Sequence, residues 1–177
     1  MVHSFPTRRS SDLLGITHEI WESRQVDRIR DYYAADTLIY TLGGLVRGAE
    51  SIVQNTHDTL RAFPDRLLIG DAVIWSRESA GIFYSSHRIS SPMTNLGDSA
   101  FGPATGRSVV VATIADCLVE NGVITREWLV RDNHALVTQL GFDPHTVAQR
   151  AAAQPRSEFT AWLDSESERV RASDTLL

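Results

Sequence analysis

Apolar residues recur at helical spacing in the first third of the chain. The apolar face of a first helix consists of Ile16, Ile20 and Trp21. The apolar positions of a second, short amphipathic helix are Val26, Ile29, Tyr32 and Tyr33. A strand-like run over residues 37–42 stops at Gly43-Gly44. A third helix is predicted over residues 49–63, where Pro64 ends it.

The rest of the chain has the alternating pattern of strands. The predicted strands cover residues 67–76, 82–90, 109–119 and 123–131. Asn121-Gly122 predicts a tight hairpin between the last two. A helix over residues 133–140 follows, with Gly141 as its C-cap, and Asp143-Pro144 begins another. Helices first and consecutive strands afterwards predict one α+β domain with a mostly antiparallel sheet that encloses a small-molecule pocket.

The two ends of the chain are set apart from this domain. Residues 3–13 read HSFPTRRSSDL, which is a translation of a common sequencing adapter. Residues 1–13 are therefore treated as a non-native segment that shortens the first helix. The predicted domain covers residues 14–154, and residues 155–177 form a peripheral tail with a charged helix over residues 157–172.

Composition excludes several classes of function. The net charge is −5 and the chain contains no lysine, so Schiff-base chemistry and a Walker-type phosphate loop are ruled out. No basic patch indicates a nucleic-acid partner, and no apolar run has membrane-spanning length. The lone Cys117 lies in a strand-like run, and the six histidines lack ligand spacing, so neither a metal nor another cofactor is expected. We expect a cytoplasmic protein. Because lysine is absent and arginine supplies the side-chain cations, we also expect a GC-rich bacterial genome.

The predicted turn also assigns residues to the faces of the sheet. A two-residue turn pairs Ala115 with Trp128 and sets Val111 opposite Asp132. Arg126, Trp128 and Asp132 then share a face with small apolar residues and form the predicted pocket floor. A carboxylate in such a place has a raised pKa and can transfer protons. The competing interpretation is that Asp132, standing where a strand enters a helix, is only its N-cap.

A family resemblance adds to this pattern. Residues 124–132 read ITREWLVRD and are followed by Leu136 and by Gln139-Leu140-Gly141. The further matching segments are Glu19-Ile20-Trp21, Ala35-Asp36, RAFPD at residues 61–65 and PATGR at residues 103–107. In order and spacing these motifs, between about residues 16 and 144, resemble the SnoaL-like polyketide cyclases and related ester cyclases. Those proteins belong to the superfamily of nuclear transport factor 2, ketosteroid isomerase and scytalone dehydratase.

The resemblance implies a cone-shaped nuclear transport factor 2-like fold, with N-terminal helices packed on a curved sheet around a pocket. It also implies cofactor-independent aldol chemistry in which Asp132, four residues after Trp128, is the acid/base. This chain departs from the family where histidine often precedes the tryptophan, because it has Glu127 there. Strand alternation turns Glu127 away from the face of Asp132.

Other candidate residues each have two interpretations. His87 either orients a carbonyl oxygen or is a structural histidine, and Tyr40 lines the pocket mouth or belongs to the core. Arg126 binds an anionic group or lies in solvent, His134 contacts substrate or is a solvated helix residue, and Trp21 lines the pocket or packs in the core. The loop over residues 91–106 is either a lid or a set of solvated turns.

Three functions remain open. The leading one is a lyase, isomerase or cyclase that transfers a proton on a small hydrophobic carbonyl compound, with Asp132 as acid/base and His87 or Tyr40 at the oxyanion. A non-catalytic ligand-binding or dimerisation module of the same fold is the alternative. A limonene-epoxide-hydrolase-like enzyme needs an Asp–Arg–Asp arrangement, of which Arg126 and Asp132 supply part. Under either of the first two, we expect a homodimer through the sheet face.

Overall fold

The computed structural model describes residues 15–153, together with Ala161, Asp164, Ser165, Ser167 and Glu168. The predicted adapter segment, residues 1–13, lies outside the described residues. The predicted helix over residues 157–172 also lies outside them, except for those five residues, which are helical and exposed. In the described part of the chain, no helix has the length and apolar character needed to cross a membrane.

The N-terminal part combines short helical segments with a β-hairpin. A π-helical turn at His18–Glu22 and a 3-10 turn at Val26–Arg28 lead into α1 (Ile29–Tyr32). Strands β1 (Tyr33–Thr41) and β2 (Gly44–Arg47) form the hairpin, and α2 (Ala49–Ala62) follows. One prediction was wrong here and one strand was missed. Tyr33 begins a strand instead of ending a helix, and a second strand, β2, which was not predicted, follows the glycines at which the first strand stops as expected.

Four long strands and two helices complete the domain. The strands are β3 (Ile69–Ser79), β4 (Ile82–Thr94), β5 (Ser108–Glu120) and β6 (Val123–Arg131). The helices are α3 (Asn133–Leu140) and α4 (Pro144–Ala152). The strand order is β2-β1-β6-β5-β4-β3, and every neighbouring pair is antiparallel except β1 and β6. The predicted α+β class with a mostly antiparallel sheet is confirmed.

The helices cover one face of this sheet. On β5 that inner face carries Val109, Val111, Thr113, Ala115, Cys117 and Val119, all buried. The outer face of β5 carries the alternate residues Val110, Ala112, Ile114, Asp116 and Leu118. The inner face packs against two apolar clusters, one around Ile29 and Ile52 and another around Phe63 and Leu136. Burial of these side chains supplies the main stabilisation of the domain.

The hairpin between β5 and β6 contains a β-bulge that changes the predicted register. Asn121 and Gly122 adopt φ values of 50° and 88°, as an Asn-Gly hairpin turn requires, and Val119 pairs with Ile124 as predicted. The next pair is Leu118 with Arg126, so Thr125 is an extra residue in β6. The Thr125 hydroxyl donates to the Glu120 carboxylate, which holds the bulge in place.

The bulge overturns the predicted assignment of faces on β6. Trp128 pairs with Asp116 instead of Ala115, so Arg126, Trp128 and Val130 lie on the outer face. Glu127, Leu129 and Arg131 lie on the inner face, opposite Cys117, Ala115 and Thr113 respectively. The predicted pocket floor was therefore wrong for β6, because an extra residue exchanges the two sides of a strand with a period of two.

Candidate active site

Glu127 is a buried carboxyl group at the centre of the inner face. It is 7% exposed, and its Oε2 accepts a hydrogen bond of 3.0 Å from the Tyr33 hydroxyl. Burial raises the pKa of Glu127 to about 7, against the opposing effects of the Tyr33 hydrogen bond and the positive charge of Arg131. The group therefore exchanges a proton near neutral pH, which suits a general acid or base.

Tyr33 reaches Glu127 because β1 lies beside β6. Ile39 of β1 pairs with Glu127, and Tyr33 stands at the start of the same strand. Burial, followed by the neighbouring charge of Glu127, raises the pKa of the Tyr33 phenol well above its ordinary value. The phenol thus keeps its proton at neutral pH and remains a donor to the carboxylate.

Three further polar side chains lie on the same inner face as Glu127, Cys117 on the neighbouring strand β5 and Ser85 and His87 one strand further away on β4. Ser85 and Cys117 occupy the same row across the sheet as Glu127, and His87 stands in the next row. His87 Nε2 lies 3.1 Å from the Ser85 hydroxyl, and burial lowers the pKa of His87 even though Asp116 raises it. Burial also raises the pKa of the Cys117 thiol well above its usual value. At neutral pH the imidazole is uncharged and the sulfur is not a thiolate nucleophile.

Two arginines complete the polar part of the inner side. Arg131 is on β6, and Arg66 follows α2 and is only 4% exposed. The Arg66 guanidinium lies 4.5 Å from the centre of the Trp21 ring, a cation–π contact. Burial and the charge of Arg131 lower the pKa of Arg66 to about 9, so both guanidinium groups stay charged at neutral pH.

The structure divides the predicted site residues between the two faces. His87 and Trp21 lie on the inner side, where Trp21 packs against the core around Ile29. Trp128 and Tyr40 are stacked on each other on the outer face, with ring centres 5.6 Å apart. Arg126 is exposed on the outer face as well. The expectation that Arg126, Trp128 and Asp132 form one floor is therefore wrong.

Asp132 lies where β6 passes into α3. Its carboxylate is exposed and accepts a hydrogen bond of 2.9 Å from the backbone N–H of Ala135, so its predicted role as N-cap is confirmed. His134, in the first turn of α3, is exposed. A catalytic role of Asp132 remains a hypothesis that competes with Glu127.

The loop over residues 95–107 is held by hydrogen bonds around Asn95. Asn95 is completely buried, its Oδ1 accepts a hydrogen bond from the Thr105 N–H at 2.9 Å, and its Nδ2 donates to the Gly97 carbonyl at 2.7 Å. A Cβ atom on Gly97 would come within 2.5 Å of the Arg61 carbonyl oxygen at the end of α2. The N–H groups of Leu96 and Gly97 donate to the Ala62 carbonyl at 3.0 and 3.1 Å, which fastens the loop to the end of α2.

The candidate site residues that sequence reasoning missed are Glu127, Tyr33, Arg131 and Arg66. One signal was available, because Glu127 and Arg131 are charged residues four apart in the strand and share a face at any register. Tyr33 and Arg66 gave no comparable signal. Their contacts come from the pairing of β1 with β6 and from the path of the chain after α2.

Comparisons with known proteins agree with this fold. The profile of the SnoaL-like polyketide cyclases matches residues 11–140. No curated protein matches the chain in sequence. TsrD from Streptomyces laurentii is similar in structure, with a TM-score of 0.66 and 19% identity over 77% of this chain and 98% of that one. A SnoaL-like polyketide cyclase from Agrobacterium tumefaciens has a TM-score of 0.61 and 17% sequence identity, and the match covers 76% of this chain and 100% of that one.

A protein with a ketosteroid isomerase-like fold from Catenulispora acidiphila is also similar. Its TM-score is 0.60 and its sequence identity is 11%, and the match covers 83% of this chain and 100% of that one. At such low identities the likeness concerns the fold alone. The predicted nuclear transport factor 2-like fold is confirmed.

Proposed function

Because the chain belongs to the SnoaL-like polyketide cyclase family, we propose that it is a cofactor-independent cyclase or isomerase in which Glu127 transfers the proton. The substrate is a small apolar carbonyl compound bound between the helices and the inner face. The observation that carries the proposal is the buried Glu127 carboxyl group, held by the Tyr33 hydroxyl on the face that the helices cover.

The chemistry needs only one group that takes up and returns a proton. The Glu127 carboxylate removes a proton from the carbon next to a carbonyl group, and the C–H electron pair becomes an enolate. In an isomerase the proton returns to another carbon of the same molecule. In a cyclase the enolate carbon forms a bond to a second carbonyl carbon, and the resulting alkoxide takes the proton from Glu127. Neither the isomerisation nor the cyclisation, as written, requires an oxidant, a reductant or a metal ion.

His87 is the residue on this face that suits the developing oxyanion. It lies on β4, two strands across and one row along from Glu127, and it is neutral, so its ring can donate a hydrogen bond to the substrate without protonating the base. Tyr40, the other residue expected at the oxyanion, stacks on Trp128 on the outer face and does not fit that role. The proposal therefore keeps His87 and replaces Asp132 by Glu127 as acid/base.

Proton abstraction can be tested without the natural substrate. In deuterium oxide, the protein should exchange the acidic C–H protons of aryl ketones such as α-tetralone and acetophenone for deuterium, followed by NMR. Glu127→Gln keeps the shape of the side chain but cannot take up the proton. We expect it to lower the exchange rate by roughly two to four orders of magnitude.

Asp132→Asn is the matched control, because asparagine caps a helix about as well as aspartate. It should leave the exchange rate nearly unchanged. Exchange that survives Glu127→Gln but is lost in Asp132→Asn would return the acid/base role to Asp132. If none of the ketones exchanges faster than in buffer and the Glu127 carboxyl titrates near 4.5, a non-catalytic binding module of the same fold is favoured.

The outer face supports a second proposal, a homodimer through the sheet. Its strands expose large apolar side chains where a monomer usually has polar ones, among them Ile74 at 71%, Val130 at 58% and Val110 at 54%. Ile114 pairs directly with Val130, and the stacked rings of Tyr40 and Trp128 continue the same surface. A second copy of the chain fits this surface because an apolar face matches itself across a twofold axis.

A further inference from the structure

Ser85 and His87 form a buried hydrogen-bonded pair on the inner face of β4. They are two residues apart in the strand, so their side chains lie on the same side of the sheet. Ser85 is 2% exposed and His87 is 4% exposed, and the serine hydroxyl lies 3.1 Å from Nε2 of the imidazole. In the described part of the chain, Ser85 is the side chain that hydrogen-bonds to this ring, which leaves Nδ1 for a ligand.

The direction of this hydrogen bond decides which ring nitrogen carries the proton. Burial lowers the pKa of His87, although the charge of Asp116 raises it, so the ring is neutral at neutral pH and has one N–H group. If the serine hydroxyl donates to Nε2, the ring proton lies on Nδ1. If Nε2 donates to the serine oxygen, Nδ1 is a bare acceptor. Only the first form can donate a hydrogen bond to an oxyanion through Nδ1.

The neighbour of Ser85 across the sheet favours the first direction. Cys117 of β5 pairs directly with Ser85. Burial raises the pKa of the Cys117 thiol well above its usual value, and a hydrogen bond with Ser85 opposes this effect only in part. The thiol therefore keeps its proton and can donate it to the serine oxygen. Of the two acceptors near the serine proton, an imidazole nitrogen is stronger than a thiol sulfur, so that proton points at Nε2 of His87.

We propose that Ser85 is a positioning residue whose hydroxyl donates to Nε2 of His87 and holds the ring in the Nδ1–H form, which donates to the oxyanion of the substrate. Ser85 acts through the ring and does not touch the substrate itself. Because both side chains belong to one strand, the hydrogen bond also restricts rotation of the imidazole. This inference rests on the proposed function for the use of the Nδ1–H group, but the tautomer can be measured without substrate or turnover.

The tautomer is read from the NMR chemical shifts of the two ring nitrogens in isotope-labelled protein near neutral pH, and His87→Gln identifies the signals. The wild-type protein should show a protonated Nδ1 and an unprotonated Nε2. Ser85→Ala should move the proton to Nε2 in a large fraction of the molecules, whereas Ser85→Thr keeps the hydroxyl and should preserve the wild-type shifts. Ser91→Ala is the matched control, because Ser91 is a completely buried serine on the same face of β4 and its hydroxyl has no partner among the described residues.

Proton exchange of α-tetralone in deuterium oxide supplies the functional measurement. Ser85→Ala should lower kcat at least about tenfold with little change in KM, since the lost donor acts on the transition state. Ser85→Thr should recover most of the rate, and Ser91→Ala should leave it unchanged.

The wild-type tautomer is measured without any change at Ser85, so the proposal can fail even if Ser85→Ala does not fold. A wild-type ring protonated on Nε2, or a Ser85→Ala protein that keeps the wild-type tautomer, would overturn the proposal. A loss of rate in Ser91→Ala as large as that in Ser85→Ala would overturn it as well. A wild-type protein with the Nδ1–H form that exchanges none of the ketones would overturn the proposed function and leave the control of the tautomer by Ser85 standing.

Discussion

The Tyr33 hydroxyl donates a hydrogen bond to Glu127 across a separation of 94 residues in the chain. The bond joins the first residue of β1 to the middle of β6 beneath the helices. It stabilises the charged form of a carboxyl group that burial makes difficult to ionise. The balance of these two effects places the proton equilibrium of Glu127 in the neutral range.

Tyr33→Phe removes the donor and should raise the pKa of Glu127 further, because the hydrogen bond from Tyr33 lowers it. The measurement is an NMR titration of the glutamate carboxyl carbons, with Glu127→Gln identifying the signal. Loss of the buried hydrogen bond should also cost about 1–3 kcal/mol of stability. Tyr84→Phe is the control, since Tyr84 donates to Asp116 on the outer face. A Glu127 pKa that stays constant or falls in Tyr33→Phe would contradict the expected role of the hydrogen bond.

Glu127 should also make stability depend on pH. Its pKa is about 7 in the folded chain and near 4.5 in the unfolded chain, so the folded state binds the proton more tightly. Its contribution is fully present below pH 4.5 and is lost as the pH rises through 7. The loss amounts to about 3 kcal/mol.

Glu127→Gln cannot titrate and should lack this loss. Urea unfolding of both proteins at several pH values from about 4.5 to 8 gives the difference in the free energy of unfolding. As the pH rises, the free energy of unfolding of Glu127→Gln should increase relative to that of the wild-type protein. Parallel curves would show that the Glu127 carboxyl is not perturbed by burial.

Asp132→Ala should reduce the free energy of unfolding by about 1 kcal/mol, because the N–H of Ala135 loses its acceptor at the start of α3. Asp132→Asn should cost only a few tenths of that amount. Asp143→Ala is a useful comparison, since Asp143 caps α4 in the same way by accepting from the Thr146 N–H. If Asp132→Ala stabilised the protein, a functional strain at Asp132 would be the better explanation.

Ile114→Glu should convert the proposed homodimer into a monomer. The substitution places a charge in the middle of the outer face, where the partner would have to desolvate it. Light scattering coupled to size-exclusion chromatography gives the mass of each form. Leu42→Glu is the control, because Leu42 is 62% exposed but lies in the turn between β1 and β2. A wild-type protein that is monomeric at all concentrations would contradict the dimer.

Local signals predicted the elements that local chemistry determines. Gly141 ends α3 in the left-handed conformation, with φ of 86°, and Asp143 caps α4, both as expected from residue type alone. The Asn121-Gly122 turn was also placed correctly. Each of these features depends on contacts within about four residues, so the pattern of the chain contains the necessary information.

The site depends on one irregularity within the β5–β6 hairpin and on one pairing between strands that lie far apart in the chain. The bulge at Thr125 is stabilised by a side-chain contact to Glu120 across the hairpin, and no periodicity in β6 indicates it. Without the bulge, the face of Trp128 was the reasonable choice for the pocket. The parallel pairing of β1 with β6 gave no signal either, so Tyr33 was assigned to a helix although it packs against the strand of Glu127.

The position of β1 in the sheet has a consequence for the order of folding during synthesis. Besides its hairpin partner β2, β1 pairs only with β6, the last strand of the described chain. A two-stranded hairpin alone is marginally stable in water. The N-terminal hairpin can therefore join the rest of the sheet only after β6 has been synthesised. The contact between Tyr33 and Glu127 forms as one of the last events, and a chain truncated before β6 would lack Glu127 and leave Tyr33 without its acceptor.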